Sequence, residues 1–263
     1  GVPVPPVVGY CEDDEVTGAP FYVMEFVEGP VIRGPEQAAA FPSEEQRRRL
    51  GEGLVETMAK IHSVNVDEVG LGDLGRHDGY VQRQLKRWSG QWDKSKTREL
   101  PLVEDVHSRL VDLAPPQSAV TLVHGDYRLD NVIYSPTGEV AAVVDWELCT
   151  IGEPLADLGL LMVYWREAGD DQIPLITPAT VEPGFPKRAE LAALYAEITG
   201  RDISKLDYFV ALGFWKLAII AEGVLARFAA GQYGDDIGDV VERSQATIDL
   251  LVGQADEAIN RIS

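Results

Sequence analysis

His124-Gly125-Asp126-Tyr127-Arg128-Leu129-Asp130-Asn131 is followed downstream by Asp145-Trp146-Glu147. The first segment has the form H-G-D-x-x-x-x-N and comes directly after Val120–Val123, a short apolar run that reads as a strand. A carboxylate and an amide five residues apart, placed after a strand, can share one tight loop. Between the two segments, Val132–Tyr134 and Val140–Val144 read as a β-hairpin closed by Ser135-Pro136-Thr137-Gly138. The hairpin would bring Asp145 back to face the loop. An amide oxygen and a carboxylate together suit Mg²⁺, a hard cation that takes oxygen ligands and shares them with substrate phosphates. Asp126 is then left to accept a proton from a hydroxyl nucleophile.

Upstream, Gly1–Gly9 carries three prolines and cannot be helical. Tyr10–Glu12 and Phe21–Phe26 read as two strands joined by an acidic turn through Asp13, Asp14 and Gly18. Val27-Glu28-Gly29-Pro30 is a connector. Ser43 and Gln46 form a capping-box pair that opens a helix running to about His62. Its apolar positions Leu50, Leu54, Val55, Met58 and Ile61 follow the helical period. Further helices are predicted over Gly79–Trp92, Leu102–Leu113, Leu155–Glu167, Lys187–Thr199, Ser204–Ala230 and Asp236–Asn260, with a loop over Glu167–Phe185. A few strands first, then a helical body with an embedded hairpin, is an α+β order.

The chain has 263 residues and a formal net charge of −20, with 45% apolar and 25% charged residues. That composition excludes wholesale disorder, and the acidity excludes a protein that coats nucleic acid. The surplus of carboxylates serves solubility and would also steer a cationic substrate. Two cysteines without metal spacing, Cys11 and Cys149, point to a reducing cytoplasm. No signal-peptide pattern opens the sequence. The most apolar stretch, Phe209–Ala221, contains Lys216 and is read as a buried helix rather than a membrane span. Trp165, Trp215 and Phe214 are assigned to core packing, and His62 and His107 to packed or exposed helix positions.

The H-G-D-x-x-x-x-N loop with a later Asp-Trp-Glu resembles the catalytic loop of kinases. Glycine in place of the kinase arginine is the form found in aminoglycoside phosphotransferases and their choline-kinase-like relatives. Three further elements stand in the matching order: Met24-Glu25-Phe26-Val27-Glu28-Gly29 as a hinge, a helix ending in Ile61-His62, and Gly152-Glu153-Pro154 with Asp157-Leu158-Gly159. The resemblance covers nearly the whole chain and looks closest to the branch associated with acyl-CoA dehydrogenases. It implies a protein-kinase-like α+β fold. Residues 1–29 would be an N-lobe remnant and hinge, and residues 30–263 a helical C-lobe holding the catalytic loop and the acceptor region.

The resemblance also implies roles. Asp126 would be the general base and Arg128 a cation beside the transferring phosphoryl group. Asn131 and Asp145 would hold Mg²⁺. Met24, Glu25 and Val27 would meet the adenine of ATP, the last two through backbone groups. His124 would organise the loop, and Asp157 would be the buried aspartate that ties it down. Glu147 is a candidate for metal, substrate or a structural hydrogen bond. Glu167, Asp170, Asp171 and Glu222 are acidic candidates for the acceptor surface. The acceptor would be a hydroxyl of a small molecule, an aminoglycoside or, in the branch named, a hydroxyacyl thioester or similar metabolite. Nucleic acid and membrane are not expected as partners.

Neither a Gly-rich loop nor a strand lysine precedes the hinge, since Lys60 and Lys86 fall in later helices. The sequence therefore reads as an N-terminally truncated piece that would expose the apolar face of its remaining strands. Two other readings compete with a small-molecule kinase. A protein kinase needs a long activation segment, but only eight residues separate Asp145 from Pro154. A noncatalytic nucleotide-binding or scaffold module of the same fold is favoured by the missing lobe and opposed by intact Asp126, Asn131 and Asp145.

Overall fold

The computed structural model describes residues 1–173, 178–231 and 238–262. Strand β1 (Val7–Cys11) pairs antiparallel with β2 (Phe21–Met24), in register from Gly9 opposite Val23 to Cys11 opposite Phe21. The expected acidic turn between them is a one-turn helix, α1 (Asp14–Thr17), capped by Asp13 and ended by left-handed Gly18. Val7, Val8, Tyr10 and Tyr22 of this hairpin are exposed, as is Phe26 after it at 90%.

The connector after β2 docks on the second hairpin. Val31 bridges Ile133, and the Tyr134 N–H donates to the Pro30 carbonyl at 2.9 Å. Gly29 makes this approach possible. It has φ +154°, and a Cβ there would lie 2.0 Å from the Tyr134 carbonyl oxygen. A short helix, α2 (Pro35–Ala38), then leads to α3 (Glu44–His62). The α3 capping box forms as the sequence predicts, and Leu50, Leu54, Val55, Met58 and Ile61 are all buried.

Helices α4 (Tyr80–Ser95) and α5 (Pro101–Asp112) precede β3 (Thr121–Val123). The predicted hairpin is β4 (Val132–Tyr134) and β5 (Val140–Val143). A sixth strand, β6 (Thr150–Gly152), was not expected from the sequence. It pairs antiparallel with β3, Leu122 opposite Ile151. Three residues ending in a glycine carry no periodic signal of their own, so only the pairing reveals the strand. Gly152 is required by packing, because a Cβ would sit 2.4 Å from the Tyr80 ring.

The helical body consists of α6 (Pro154–Tyr164), α7 (Arg188–Thr199), α8 (Leu206–Ala229) and α9 (Gly238–Asn260). Residues 236–237 of the predicted last helix lie outside the described residues. Small two-stranded sheets set in a mostly helical chain bear out the α+β class. α8 matches the predicted Ser204–Ala230 helix to within two residues at either end, and by length and composition alone it could cross a membrane. Its apolar window is 67% buried inside the fold, where it packs on α6 and α9. Trp165, Trp215 and Phe214 are core residues, and the two tryptophans donate to the carbonyls of Pro186 and Val103.

Candidate active site

β3 delivers the loop that begins at His124, and β6 beside it delivers α6, whose first turn carries Asp157. Asp157 is buried at 1% exposure. Its Oδ2 accepts from the His124 N–H at 2.6 Å and its Oδ1 from the Gly125 N–H at 2.9 Å. His62, at the end of α3, adds its Nε2 at 3.3 Å, while its Nδ1 meets the Tyr195 hydroxyl at 2.8 Å. Burial pushes the Asp157 carboxyl up. The hydrogen bond and charge of His62, the charge of His124 and the Gly125 N–H outweigh it and hold the group below the ordinary carboxylate value. Asp157 and His62 thus tie the His124–Gly125 backbone to α6 and α3.

The His124 ring links the loop to the hairpin. Nε2 meets the Val144 carbonyl at 2.9 Å, and Nδ1 accepts from the Asp126 N–H at 3.3 Å. These partners make Nε2 the donor to the hairpin and Nδ1 the acceptor from the loop. The ring also contacts Trp146, centroids 4.7 Å apart, and the Trp146 indole donates to the Val143 carbonyl. Gly125 has φ +84°, and a Cβ there would lie 2.6 Å from the Leu148 carbonyl oxygen. Any side chain at this position would push the loop off the Asp-Trp-Glu segment.

Asn131 closes the loop. Its Nδ2 donates to the Asp126 carbonyl at 2.8 Å and to the Asp126 carboxylate at 3.1 Å. Its own carbonyl accepts from the Val144 N–H at 3.0 Å, so Asn131 and Asp145 lie on either side of the hairpin mouth. Asp145 has φ +65°, the one non-glycine residue with positive φ among those described. Aspartate is among the residues that tolerate this region, and such backbone strain concentrates at functional sites. The side chains of Asp145 and Glu147 are exposed and make no hydrogen bond or ion pair with a described residue. With its amide nitrogen engaged, Asn131 keeps its side-chain oxygen available. The donor set fits Mg²⁺, which retains waters and substrate oxygens instead of needing a full protein cage. Among the described residues no group of three His, Cys, Asp or Glu side chains forms a self-sufficient metal site.

Arg128 lies across the loop, with Nε 3.4 Å from Asp126 and a terminal nitrogen 3.0 Å from Asp130. Its guanidinium sits 4.8 Å from the centre of the Tyr164 ring. Asp130 is pushed up by burial, an effect that the charges of Arg128 and Arg33 oppose. A cavity of about 180 Å³ opens beside these groups, lined by Ile32, Arg33, Arg128, Asp130, Tyr164 and Thr180 among others. Arg33 forms no ion pair or hydrogen bond with a described residue.

At the hinge, the Glu25 N–H is taken by the Pro6 carbonyl at 2.9 Å. The Glu25 carbonyl and the Val27 N–H have no backbone partner among the described residues, and Met24 is 44% exposed. These are the two backbone groups that the sequence resemblance implies for an adenine edge.

Glu222 is set apart from this constellation. It is fully buried, and its Oε1 accepts from the Thr97 N–H at 2.5 Å and the Thr97 hydroxyl at 2.7 Å. The expectation that it faces an acceptor is corrected by this geometry: it anchors the segment after α4. Glu167 and Asp170 are engaged with Arg188, and Asp170 also lies 3.5 Å from Arg166. Sequence reasoning gave no role to Glu153, which caps α6 and binds the Ser118 N–H and hydroxyl, both at 2.6 Å. It also missed Lys216, whose Nζ donates to the Gly125 carbonyl at 2.9 Å. A charged residue inside an apolar helix was the available signal for Lys216.

The sequence model of the phosphotransferase enzyme family, APH, matches residues 1–192. Acyl-CoA dehydrogenase family member 11 of Pongo abelii is 35% identical over 240 residues, covering 88% of this chain and 30% of that protein. The chain therefore spans under a third of the length of this relative. A crystal structure of a candidate aminoglycoside phosphotransferase from Ralstonia eutropha superposes with a TM-score of 0.83 at 32% identity, over 97% of this chain and 79% of the other. The GDP complex of aminoglycoside 2′-phosphotransferase-IIIa shares the fold, with a TM-score of 0.60 at 15% identity, over 96% of this chain and 76% of that one. The motif order, the loop it builds and these likenesses lead to one assignment: the chain belongs to the APH phosphotransferase enzyme family and has its protein-kinase-like fold.

Proposed function

We propose that this protein transfers the γ-phosphoryl group of ATP, with Mg²⁺, to a hydroxyl of a small molecule. The observation that carries the reading is the Asp126 carboxylate held by Asn131 on a loop pinned by Asp157, with Asp145 uncommitted at the hairpin mouth. Mg·ATP would supply the phosphoryl group and neutralise charge on the leaving phosphate, held by Asn131 and Asp145. Asp126 takes the proton of the acceptor hydroxyl as its oxygen bonds to phosphorus and the bond to the β-phosphate oxygen breaks. Asn131 orients that carboxylate. Arg128, within reach of Asp126, offsets negative charge at the reacting centre. The Glu25 carbonyl and Val27 N–H would take the adenine edge. The nucleotide complex of a fold relative supports nucleotide use in this family.

The charge around the loop supports a neutral or anionic hydroxylated metabolite over a polycationic aminoglycoside. Glu167 and Asp170 are engaged with arginines and Glu222 is buried, while the cavity beside Arg128 and Asp130 is lined by Arg33, which forms no ion pair with a described residue. A hydroxyacyl thioester, with an acyl chain and anionic phosphates, fits that pattern. The segment between Asp145 and α6 is used up by a 3₁₀ turn at Trp146–Leu148 and by β6, which opposes a protein-kinase activation loop.

The test is Mg²⁺-dependent ADP release by the full-length protein against aminoglycosides, choline-like amines and hydroxyacyl-CoA thioesters. Release stimulated by the thioesters, and lowered about 10²- to 10⁴-fold in Asp126→Ala, is expected. Mg·ATP binding without turnover on any acceptor would favour the noncatalytic module instead.

A further inference from the structure

We propose that Lys216 is a positioning residue of the phosphotransfer centre: its ammonium clamps the Gly125 carbonyl and so fixes the peptide that carries Asp126. The proposal rests on the phosphotransferase reading and extends it to a residue outside every motif.

Lys216 lies on α8 among buried Phe214, Trp215, Ala218 and Ile219. A cation in such surroundings loses hydration and needs a partner. It has two: the Gly125 carbonyl at 2.9 Å and the Trp88 ring of α4, with Nζ 5.4 Å from the centroid. Burial lowers its pKa, and the charges of Asp126 and Asp157 work against that lowering.

The clamp acts on one rigid unit. The Gly125 carbonyl and the Asp126 N–H belong to a single planar peptide. Its N–H end donates to His124 Nδ1, and its carbonyl end accepts from Lys216. The preceding peptide is held through the Gly125 N–H by Asp157. Gly125 itself has no side chain to restrain it and occupies a backbone region open to glycine, so the orientation of Asp126 depends on these outside contacts. The reach of Lys216 is set by close helix packing. A Cβ on Gly159 would meet the Phe209 backbone at 2.6 Å, and one on Gly213 would meet Val163 at 3.0 Å, which keeps α8 against α6 and under the loop.

Lys216→Met and Lys216→Arg in the full-length protein test the proposal, because Met keeps the chain length and apolar packing while removing the donor. Two readouts are needed: amide hydrogen exchange of peptides spanning residues 123–129, and kcat and KM for ATP with an acceptor that supports turnover. Loss of one charge-assisted hydrogen bond predicts roughly tenfold faster exchange in that segment and a roughly tenfold lower kcat, with KM for ATP changed by less than about threefold. Exchange in α6 and α9 should stay unchanged, and Lys216→Arg should recover part of both effects. Exchange and kcat both within about twofold of wild type in Lys216→Met would overturn the proposal. So would exchange rising equally across α4, α6 and α8, which marks general loosening. Should the wild-type protein turn over no acceptor, the phosphotransferase reading fails, and local exchange alone still decides whether Lys216 holds the loop.

Discussion

Asp157 shows how one buried side chain can hold a whole loop. It satisfies two consecutive backbone N–H groups and a histidine, so its removal leaves buried donors without acceptors. Its folded-state pKa lies below the ordinary carboxylate value. Its contribution to stability is therefore fully present above that value, about 4, and is lost as pH falls through the depressed folded value. Asp157→Asn should cost about 2 kcal/mol or more at pH 7, and the gap from wild type should close below about pH 4. Urea denaturation of both proteins across that range checks this, and a pH-independent gap would remove the linkage. Asp145 is the contrasting case, exposed and without a side-chain partner among the described residues. Asp145→Ala should leave the melting temperature within a few degrees of wild type while abolishing the saturable Mg²⁺ dependence of turnover. A large loss of stability would instead assign Asp145 a structural task.

At the scale of elements, the site depends on how closely α6 and α8 approach. Gly159 lies against the Phe209 backbone with no room for a methyl group. Gly159→Ala should force the helices apart and cost about 1–3 kcal/mol, the usual range for overpacking. Because α6 carries Asp157 and α8 carries Lys216, activity should fall further than stability. Thermal unfolding and kcat measured on the same preparation separate the two effects. Several elements were legible locally. The Ser43–Gln46 capping box, the period of α3 and the β4–β5 hairpin each rest on residues a few positions apart. β6 was not legible, because a three-residue strand is defined by its partner β3, whose paired residues lie some thirty positions away in the chain.

For the whole molecule, the net charge of −20 gives little guidance to the acceptor. Long-range attraction of cations and local recognition are different quantities. Glu167 and Asp170 are paired with arginines, and the cavity beside Arg128 and Asp130 carries Arg33. If the acceptor is neutral or anionic, raising ionic strength from about 0.05 to 0.3 M should leave its KM unchanged or lower it, since screening removes repulsion by the acidic surface. A polycationic acceptor would show the opposite trend. Steady-state kinetics in a neutral salt decide between them.

The sequence by itself determined the make-up of the His124–Asn131 loop, the α+β class and the family, because those depend on residue types at short, fixed spacings. It also identified Asp157 and His124 as supports, since the motif order carries them. Only the tertiary structure decided which charges are available. Glu222 and Glu167 look alike as acidic residues, yet one is buried against Thr97 and the other pairs with Arg188. Lys216 and Gly125 are ninety-one positions apart, and their contact exists because small residues let α8 pack tightly against α6. Such contacts are fixed by side-chain volume and burial across the core, and no local pattern encodes them.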